Sequence, residues 1–203
     1  MRMHRAWLVM VVVLCVGGCQ GKGEVVNLNL LAAPEKDLPK VKGAAGLTVA
    51  VGLFEDLRSE QKRLGKRTHL GGGETYFQVP GGNSSEAVAK VIGDYLAARG
   101  WQVAKGGAPA DVVVTGRIQD LAVQAKSRFM GTDLTAKSKL SVQAKNVSDG
   151  SAVNLIVFGN AEDTEFWFDL EDAEEIINDA LNKSLDYLIA NTKVEGRTLK
   201  LVE

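Results

Sequence analysis

Cysteine and histidine are scarce in this sequence, which holds two of each among its 203 residues. This scarcity argues against a disulfide-stapled scaffold and against the clustered ligands of a structural zinc site. It also removes most of the side chains from which a nucleophile, a base and an orienting group are assembled. The 24 basic and 25 acidic residues are interspersed, so no basic patch for nucleic acid is expected. No catalytic residue, metal ligand or nucleic-acid partner is predicted.

The amino-terminal segment has the regions of a bacterial export signal. Residues 1–5 include Arg2, His4 and Arg5 and no acid, and residues 6–16 are almost wholly apolar. A membrane-spanning helix needs about 20 apolar residues, so this shorter run is typical of a signal sequence instead. Residues 1–18 are therefore predicted to be a signal peptide that is removed.

The residues at the cleavage point predict covalent lipidation. Val16-Gly17-Gly18-Cys19 resembles the lipobox of bacterial lipoproteins. The resemblance implies signal cleavage between Gly18 and Cys19, a diacylglyceryl thioether on Cys19, and a further acyl chain, such as palmitate, on its amine. Several chains are needed because one chain alone gives only marginal membrane binding. The lipid on Cys19 is the only cofactor-like group expected; the alternative is an ordinary signal peptide containing an accidental cysteine.

The lipid anchor would place the chain on a membrane of the cell envelope. In enteric lipoproteins an aspartate after the lipidated cysteine favours the inner membrane. Gln20 at this position thus favours the periplasmic face of the outer membrane, with the inner membrane as the alternative. Cys15 would leave with the signal and Cys19 would be blocked, so no disulfide is expected.

Three parts of the chain are predicted. They are the signal at 1–18, a lipidated N-terminus and tether at 19–46 with a candidate first strand at 25–31, and a single periplasmic α+β domain at 47–203. Apolar stripes with helical spacing predict two helices, one starting at Asn83 or Ser84 and ending at Gly100, the other starting at Asp169. Alternating apolar residues predict strands at 47–54, 76–79, 101–103, 110–125, 134–144 and 153–161.

Further local features refine this domain. The parity of the apolar residues changes within 110–125, which predicts a β-bulge near Gln119–Asp120. Residues 58–73 are basic and glycine-rich and are expected to form a loop, and 198–202 to form a last strand or a frayed end. The sequence predicts an antiparallel or mixed β-sheet of about five to six strands with two amphipathic helices packed on one face.

Three blocks of the chain carry a resemblance to the YajG-like family of bacterial lipoproteins. They are the lipobox, the strand Val49–Arg58 ending in Asp56-Leu57-Arg58, and the helix–strand block Ala87–Val103 followed by Ala110-Asp-Val-Val-Val-Thr-Gly. The family implies this fold and an envelope location, and the present chain departs from it in the longer 58–79 loop and in Phe166-Trp167-Phe168. Similar domains in curli-export-like and lipopolysaccharide-transport lipoproteins act by binding partners.

Two groups of residues are singled out as candidate sites. Asp56 and Arg58 are interpreted as a structural ion pair at a strand end, with ligand binding as the alternative. Phe166, Trp167 and Phe168 are consecutive aromatics that cannot all point inward from one element. One or two of them are expected to be exposed and to contact a partner protein or the membrane.

Other local patterns fail as catalytic motifs. Leu64–Thr68 lacks the glycine and the threonine of a phosphate-binding loop, and Ser59-x-x-Lys62 lacks the companion motifs of penicillin-binding enzymes. His69 has no spaced ligand partner. The acids between 169 and 175 are better explained by their place at a helix N-terminus than as a catalytic pair.

The preferred function is therefore a non-enzymatic binding or assembly module, lipid-anchored in the envelope, which binds a protein partner or associates with itself. An accessory component of a secretion or transport complex is the alternative. A carboxylate-only envelope hydrolase is less favoured and would need two acids about 5 to 10 Å apart in a cleft.

Overall fold

The computed structural model describes residues 22–34, 41, 43–105 and 107–202. The predicted signal peptide and its cleavage site at Gly18 and Cys19 lie outside these residues. The elements are β1 (Lys22–Asn27), β2 (Thr48–Asp56), β3 (Gly65–Thr68), β4 (Glu74–Gln78), α1 (Ser84–Ala98), β5 (Gln102–Val103), β6 (Val112–Arg128), β7 (Gly131–Asn146), β8 (Ala152–Glu165), α2 (Leu170–Ala190), β9 (Thr192–Glu195) and β10 (Thr198–Leu201).

The long strand β6 organises a mixed sheet. One of its edges pairs antiparallel with β7, which pairs in turn with β8. Its other edge pairs in parallel with β2 first and with β3 further along. Strand β5 continues the sheet beyond β2, and β4 and β1 continue it beyond β3. The main sheet thus has eight strands.

The predicted strand count of five to six is too low, and the predicted loop at 58–73 is wrong in part. Strand β3 lies inside that segment and has the sequence Gly-Lys-Arg-Thr, without apolar alternation. Its backbone is ordered by pairing with β4, the next strand, and with β6, which is distant in sequence. Local patterns do not report such long-range pairing.

Both predicted helices are present and cover one face of the sheet. Helix α1 packs mainly on β2, while α2 packs on β8 and β7. The predicted apolar stripes are buried and join the strands in one core. The Tyr95 hydroxyl of α1 donates a hydrogen bond to the Asp186 carboxylate of α2. None of the helices in the described ranges is long and apolar enough to span a membrane.

The predicted helix ends are also confirmed. The Asn83 side chain caps α1 by accepting a hydrogen bond from the Glu86 amide at 3.2 Å, and Gly100 follows α1 with a φ of 91°. Asp169 caps α2 in a capping box with Asp172. The acids at this end are therefore helix caps in part, as the sequence analysis indicates.

The predicted bulge in β6 lies at Gln119. Ile118 is opposite Leu140 and Asp120 is opposite Lys139 in the β6–β7 register, so Gln119 is the extra residue. Because a bulge inverts the facing of every later residue, it explains why the buried positions change parity. They are Val112, Val114 and Ile118 before it, and Leu121, Val123 and Ala125 after it.

The first strand ends earlier than the predicted range 25–31. Beyond Asn27 the chain leaves the sheet and runs along α2, where two asparagines take the place of a neighbouring strand. Asn178 Oδ1 accepts from the Leu31 amide at 2.8 Å and its Nδ2 donates to the Asn29 carbonyl at 2.9 Å. Asn182 does the same one turn later, with the Ala33 amide at 2.9 Å and the Leu31 carbonyl at 3.1 Å. Side chains thus satisfy backbone groups that a strand would otherwise satisfy.

The predicted tail strand is present as β10, which pairs with β9 in a separate two-stranded sheet. The sequence analysis missed β9, which follows α2 after a single residue. Asn146 fixes this hairpin at the end of β7. Its Oδ1 accepts from the Leu199 amide at 2.8 Å and its Nδ2 donates to the Leu199 carbonyl at 3.0 Å.

Two glycine substitutions test the packing of α2 on the sheet. A Cβ atom at Gly159 would lie 2.0 Å from the Ala180 carbonyl oxygen and 2.9 Å from the Ser184 nitrogen. We expect Gly159→Ala to lower the free energy of unfolding by about 1–3 kcal/mol, as overpacking does, in urea titrations. The matched change is Gly93→Ala in α1, where the new Cβ meets only a Val103 methyl at 3.8 Å. That variant should be neutral or stabilised by about 0.5–1 kcal/mol, and equal effects of the two changes would contradict this packing.

Candidate functional site

Arg58 lies where the edge of β6 changes partner from β2 to β3. The Leu57 amide donates to the Ile118 carbonyl at 3.0 Å, and further along the Val123 amide donates to the Leu64 carbonyl at 2.8 Å. Between these bonds the Leu121 carbonyl accepts from Arg58 Nη1 at 2.8 Å. The guanidinium therefore supplies a donor at the gap between two strands.

The other hydrogen bonds of Arg58 reach the segment 58–64, helix α1 and the end of β2. Its Nη1 also donates to the Arg63 carbonyl at 2.9 Å, and its Nη2 donates to the Gln61 carbonyl at 3.1 Å and to the Ser84 hydroxyl of α1 at 2.7 Å. Asp56 accepts bidentately, from Nε at 3.0 Å and from Nη2 at 2.7 Å. The two side chains are only 7% and 9% exposed. The structure thus places Asp56 and Arg58 in a buried, fully hydrogen-bonded ion pair.

A groove of about 320 Å³ opens over this junction. Residues that alternate with the buried positions of β4 and β6 line it, so it opens on the face of the sheet that carries no helix. Arg58 and Leu121 belong to its lining from the core side. The other lining residues are Ser59, Glu60, Arg63, Leu64, Gly65, Lys66, Tyr76, Gln119, Asp120, Ala122 and Gln124.

One wall of the groove is a fixed polar network. The Arg63 guanidinium lies 3.6 Å from the centre of the Tyr76 ring, and the Tyr76 hydroxyl donates to Glu74 Oε2 at 2.6 Å. Lys66 pairs with the same carboxylate. The hydrogen bonds from Lys66 and Tyr76 lower the pKa of Glu74, and the bond to Glu74 raises the pKa of Lys66. Both groups are therefore charged at neutral pH.

Other charges around the groove are available to a ligand. Within the described part of the chain, Glu60, Arg63 and Asp120 form no ion pair. A second hollow of about 380 Å³ lies beside α1, and the only charged residues among its described lining are Glu86 and Lys90. The junction groove is the better candidate site because it combines charges of both signs, an aromatic ring and a rigid buried base.

The three consecutive aromatics do not share one environment. Phe168 is half-buried against the core, with the Arg67 guanidinium 4.1 Å from its ring centre. Phe166 and Trp167 are 64% and 83% exposed, and their rings meet edge to face at 5.3 Å. The run 166–168 thus presents two aromatic side chains to solvent.

Sequence reasoning missed an even more exposed apolar pair. Phe129 and Met130 form the turn between β6 and β7 and are 90% and 74% exposed. Hairpin turns are ordinarily polar and rich in glycine and asparagine. Two large apolar residues between Arg128 and Gly131 were therefore a usable signal.

Acidic side chains gather where β8 meets the start of α2. Repulsion from Asp172 above all raises the pKa of Glu165, with smaller contributions from burial and from Asp163, Glu175 and Asp169. The hollow that they line measures only about 90 Å³, whereas pockets for small molecules begin at about 300 Å³. It provides no cleft for a sugar between two carboxylates, which the hydrolase alternative requires.

The motifs that fail in the sequence gain no support from their placement. His69 lies in the β3–β4 turn and its Nε2 is 2.9 Å from the Thr75 hydroxyl, while burial and the nearby Arg67 lower its pKa. Ser59 and Lys62 are both exposed. Across the described residues, no three His, Cys, Asp or Glu side chains are grouped so as to hold a metal ion.

The comparison with protein families identifies a family for this chain. A model described as "uncharacterized lipoprotein" matches residues 39–196. The chain belongs to this lipoprotein family. The resemblance stated from the sequence is thereby confirmed, over most of the predicted periplasmic domain. No curated protein matches the chain.

Two solved structures show the same fold at low sequence identity, and a third is a weaker match. Protein XCC0632 from Xanthomonas campestris, a DUF330 protein, is 11% identical with a TM-score of 0.53, over 82% of this chain and 93% of that one. An uncharacterized protein is 8% identical with a TM-score of 0.50, over 83% and 97%. The PelC dodecamer protein from Paraburkholderia phytofirmans is 13% identical with a TM-score of 0.38, over 80% and 92%. The first two show that the fold recurs and say nothing of its function here.

Substitution of Arg58 tests the junction. We expect Arg58→Met to cost about 3–5 kcal/mol of unfolding free energy, because Asp56 would remain as a buried, unpaired charge. The double variant Asp56→Asn/Arg58→Met should cost less than the sum of the single changes. Arg117→Ala, which removes an exposed pair with Glu55, should change stability by less than about 1 kcal/mol. Chemical denaturation measures Arg58→Met, Asp56→Asn, the double variant and Arg117→Ala. An Arg58→Met cost as small as that of Arg117→Ala would refute the junction role.

Proposed function

We propose that this protein is lipid-anchored through Cys19 on the periplasmic face of the outer membrane. There it acts as a non-enzymatic binding module of the cell envelope. Membership of a lipoprotein family and the sequence Val16-Gly17-Gly18-Cys19 support the anchor. Gln20 favours the outer membrane by the sorting rule of enteric lipoproteins.

The observation that carries the binding role is the groove at the Arg58 junction. Its base is held by a guanidinium whose hydrogen bonds are all made within the protein, so this group is a fixed support and is not free to take part in chemistry. Binding surfaces built on such rigid elements lose little conformational freedom when a ligand binds. The arrangement therefore favours recognition over catalysis.

The charges of the groove indicate the class of ligand. Arg63 and Lys66 lie on one side with the Tyr76 ring, and Glu60 and Asp120 lie within the same lining. A surface with both signs of charge and one aromatic face suits a short polar protein segment that also carries both signs. We therefore propose an envelope protein as the partner. A long acidic or basic polymer would be repelled by one of these two sets of charges.

The lipid anchor is tested by the intact mass of protein purified from detergent-solubilised membranes. We expect a chain that starts at Cys19 and carries the added mass of a diacylglyceryl group and an acyl chain. The Cys19→Ser variant should lack both the added mass and the cleavage at this site. Separation of the two membranes by density should place the native protein in the outer fraction. An unlipidated chain cleaved elsewhere would overturn the anchor.

The groove is tested by photo-crosslinking in intact cells. A photoreactive residue at Gln124, inside the groove, should form a discrete adduct, whereas one at the exposed Asn154 of β8 should not. Arg63→Glu should reduce the Gln124 adduct strongly, because it reverses a groove charge, while Lys145→Glu on β7 should leave it unchanged. Equal adducts from both positions, or a Gln124 adduct indifferent to Arg63→Glu, would contradict binding at the groove.

A further inference from the structure

Four chain segments meet at one end of the main sheet. Three of them, the β6–β7 turn, the β3–β4 turn and the residues after β8, carry exposed apolar side chains. The fourth is the start of β1, which follows the predicted anchor. The β6–β7 turn follows the pair Arg128–Gly131. Phe166 follows Glu165, which is opposite Thr132 at the start of β7. The β3–β4 turn, which contains Leu70, follows Thr68, and Thr68 is opposite Lys126 on the other edge of β6. The strand register therefore brings these turns to the same end of the sheet.

The three most exposed large apolar side chains of the described residues, Phe129, Trp167 and Met130, lie at this end, together with Leu70 and Phe166. We call them the apical cluster: Leu70 at 65%, Phe129 at 90%, Met130 at 74%, Phe166 at 64% and Trp167 at 83% exposed. At the opposite end of the long strands, the β7–β8 turn Val147–Ser151 has Val147 as its only apolar residue. A grouping of large exposed apolar residues is uncommon on a soluble surface and marks a contact site.

The anchor leaves the fold at the same end. Strand β1 runs parallel to β4, and its first residue, Lys22, is opposite Glu74, the first residue of β4 after the turn that holds Leu70. Only three residue steps separate Lys22 from Cys19. Three extended steps span at most about 11 Å. A lipid on Cys19 would therefore hold the apical cluster close to the membrane surface.

We propose that the apical cluster is a membrane contact whose side chains enter the interface of a phospholipid bilayer. Tryptophan and phenylalanine favour this interface, where apolar faces insert about 5–10 Å. The inference rests on the membrane anchor of the proposed function but not on its binding groove. Zwitterionic lipid is the fitting surface, because Asp163, Glu165 and Asp169 flank the cluster and would be repelled by anionic headgroups.

The contact would orient the rest of the domain. Gln124 of the groove lies on β6, five residues before Phe129 of the following turn. This spacing is about 17 Å along the strand. With the cluster in the interface, the groove stands clear of the lipid headgroups on the periplasmic side. A soluble partner could then reach it.

Tryptophan fluorescence in phosphatidylcholine vesicles tests the contact. After signal removal, Trp101 and Trp167 are the only tryptophans of the chain, and Trp101 is buried, with 5% exposure, at the opposite end of the sheet. We expect acyl-chain-brominated lipid to quench Trp167 in the reconstituted protein. Trp167→Phe should abolish the quenched component and leave the Trp101 emission.

A matched pair of variants separates the cluster from the anchor. Phe129→Ser/Met130→Ser should weaken the lipid quenching of Trp167, whereas Val147→Ser at the other end should not. If aqueous iodide quenches Trp167 fully in vesicles and brominated lipid does not, the contact does not exist, and a protein partner becomes the occupant of the cluster. The intact mass of the same sample reports the anchor independently, so failure of lipidation and failure of the contact are separate results.

Discussion

The hydrogen bonds of the Arg58 guanidinium fill the gap where the edge of β6 changes its partner from β2 to β3. Between β2 and β3 the carbonyls of Gln61, Arg63 and Leu121 face a gap in which no strand supplies donors. Each would cost about 1–3 kcal/mol if left buried without a partner. A planar group with five donors can reach all three and still bind Asp56 bidentately, and a lysine cannot. The change of strand partner and the base of the groove thus depend on the identity of residue 58.

A second set of polar side chains joins the segment after β1 to helix α2. Asn178 and Asn182 bind the backbone between Asn29 and Ala33 as a strand would. They lie one turn apart on α2, so their spacing along the helix is close to the repeat of two extended residues. Because this segment directly follows β1, the end of β1 is held by α2, while β4 pairs with β1 from Lys22 to Asn27. The start of β1 therefore has a fixed place beside β4.

The elements that could be predicted from the sequence are those whose apolar pattern lies within the element itself. The stripes of α1 and α2, the alternation of β7 and the parity change at Gln119 each reflect which face of an element meets the core. The missed strands β3 and β9 are short and largely polar, and pairing with other strands orders them in place of an apolar pattern of their own. At the candidate site, Asp56 and Arg58 could be named as a pair, but the carbonyls that the guanidinium binds could not. The asparagines of α2 were visible at apolar-stripe positions, and Phe129 and Met130 were visible in a hairpin turn. Both were unused signals.

The start of β1 and the apical cluster lie at one end of the sheet, and the groove lies further along its strands. The proposed lipid on Cys19 would fix the distance of the domain from the bilayer but would leave it free to tilt about a single point. A second contact would remove this freedom. The apical cluster is placed to supply it because β6 and β8 end, and β7 begins, at the end of the sheet where β1 starts. The same strands carry the groove away from the bilayer, on the helix-free face. A partner that meets the groove would then encounter a surface of defined orientation, so less rotational freedom would be lost when the two bind.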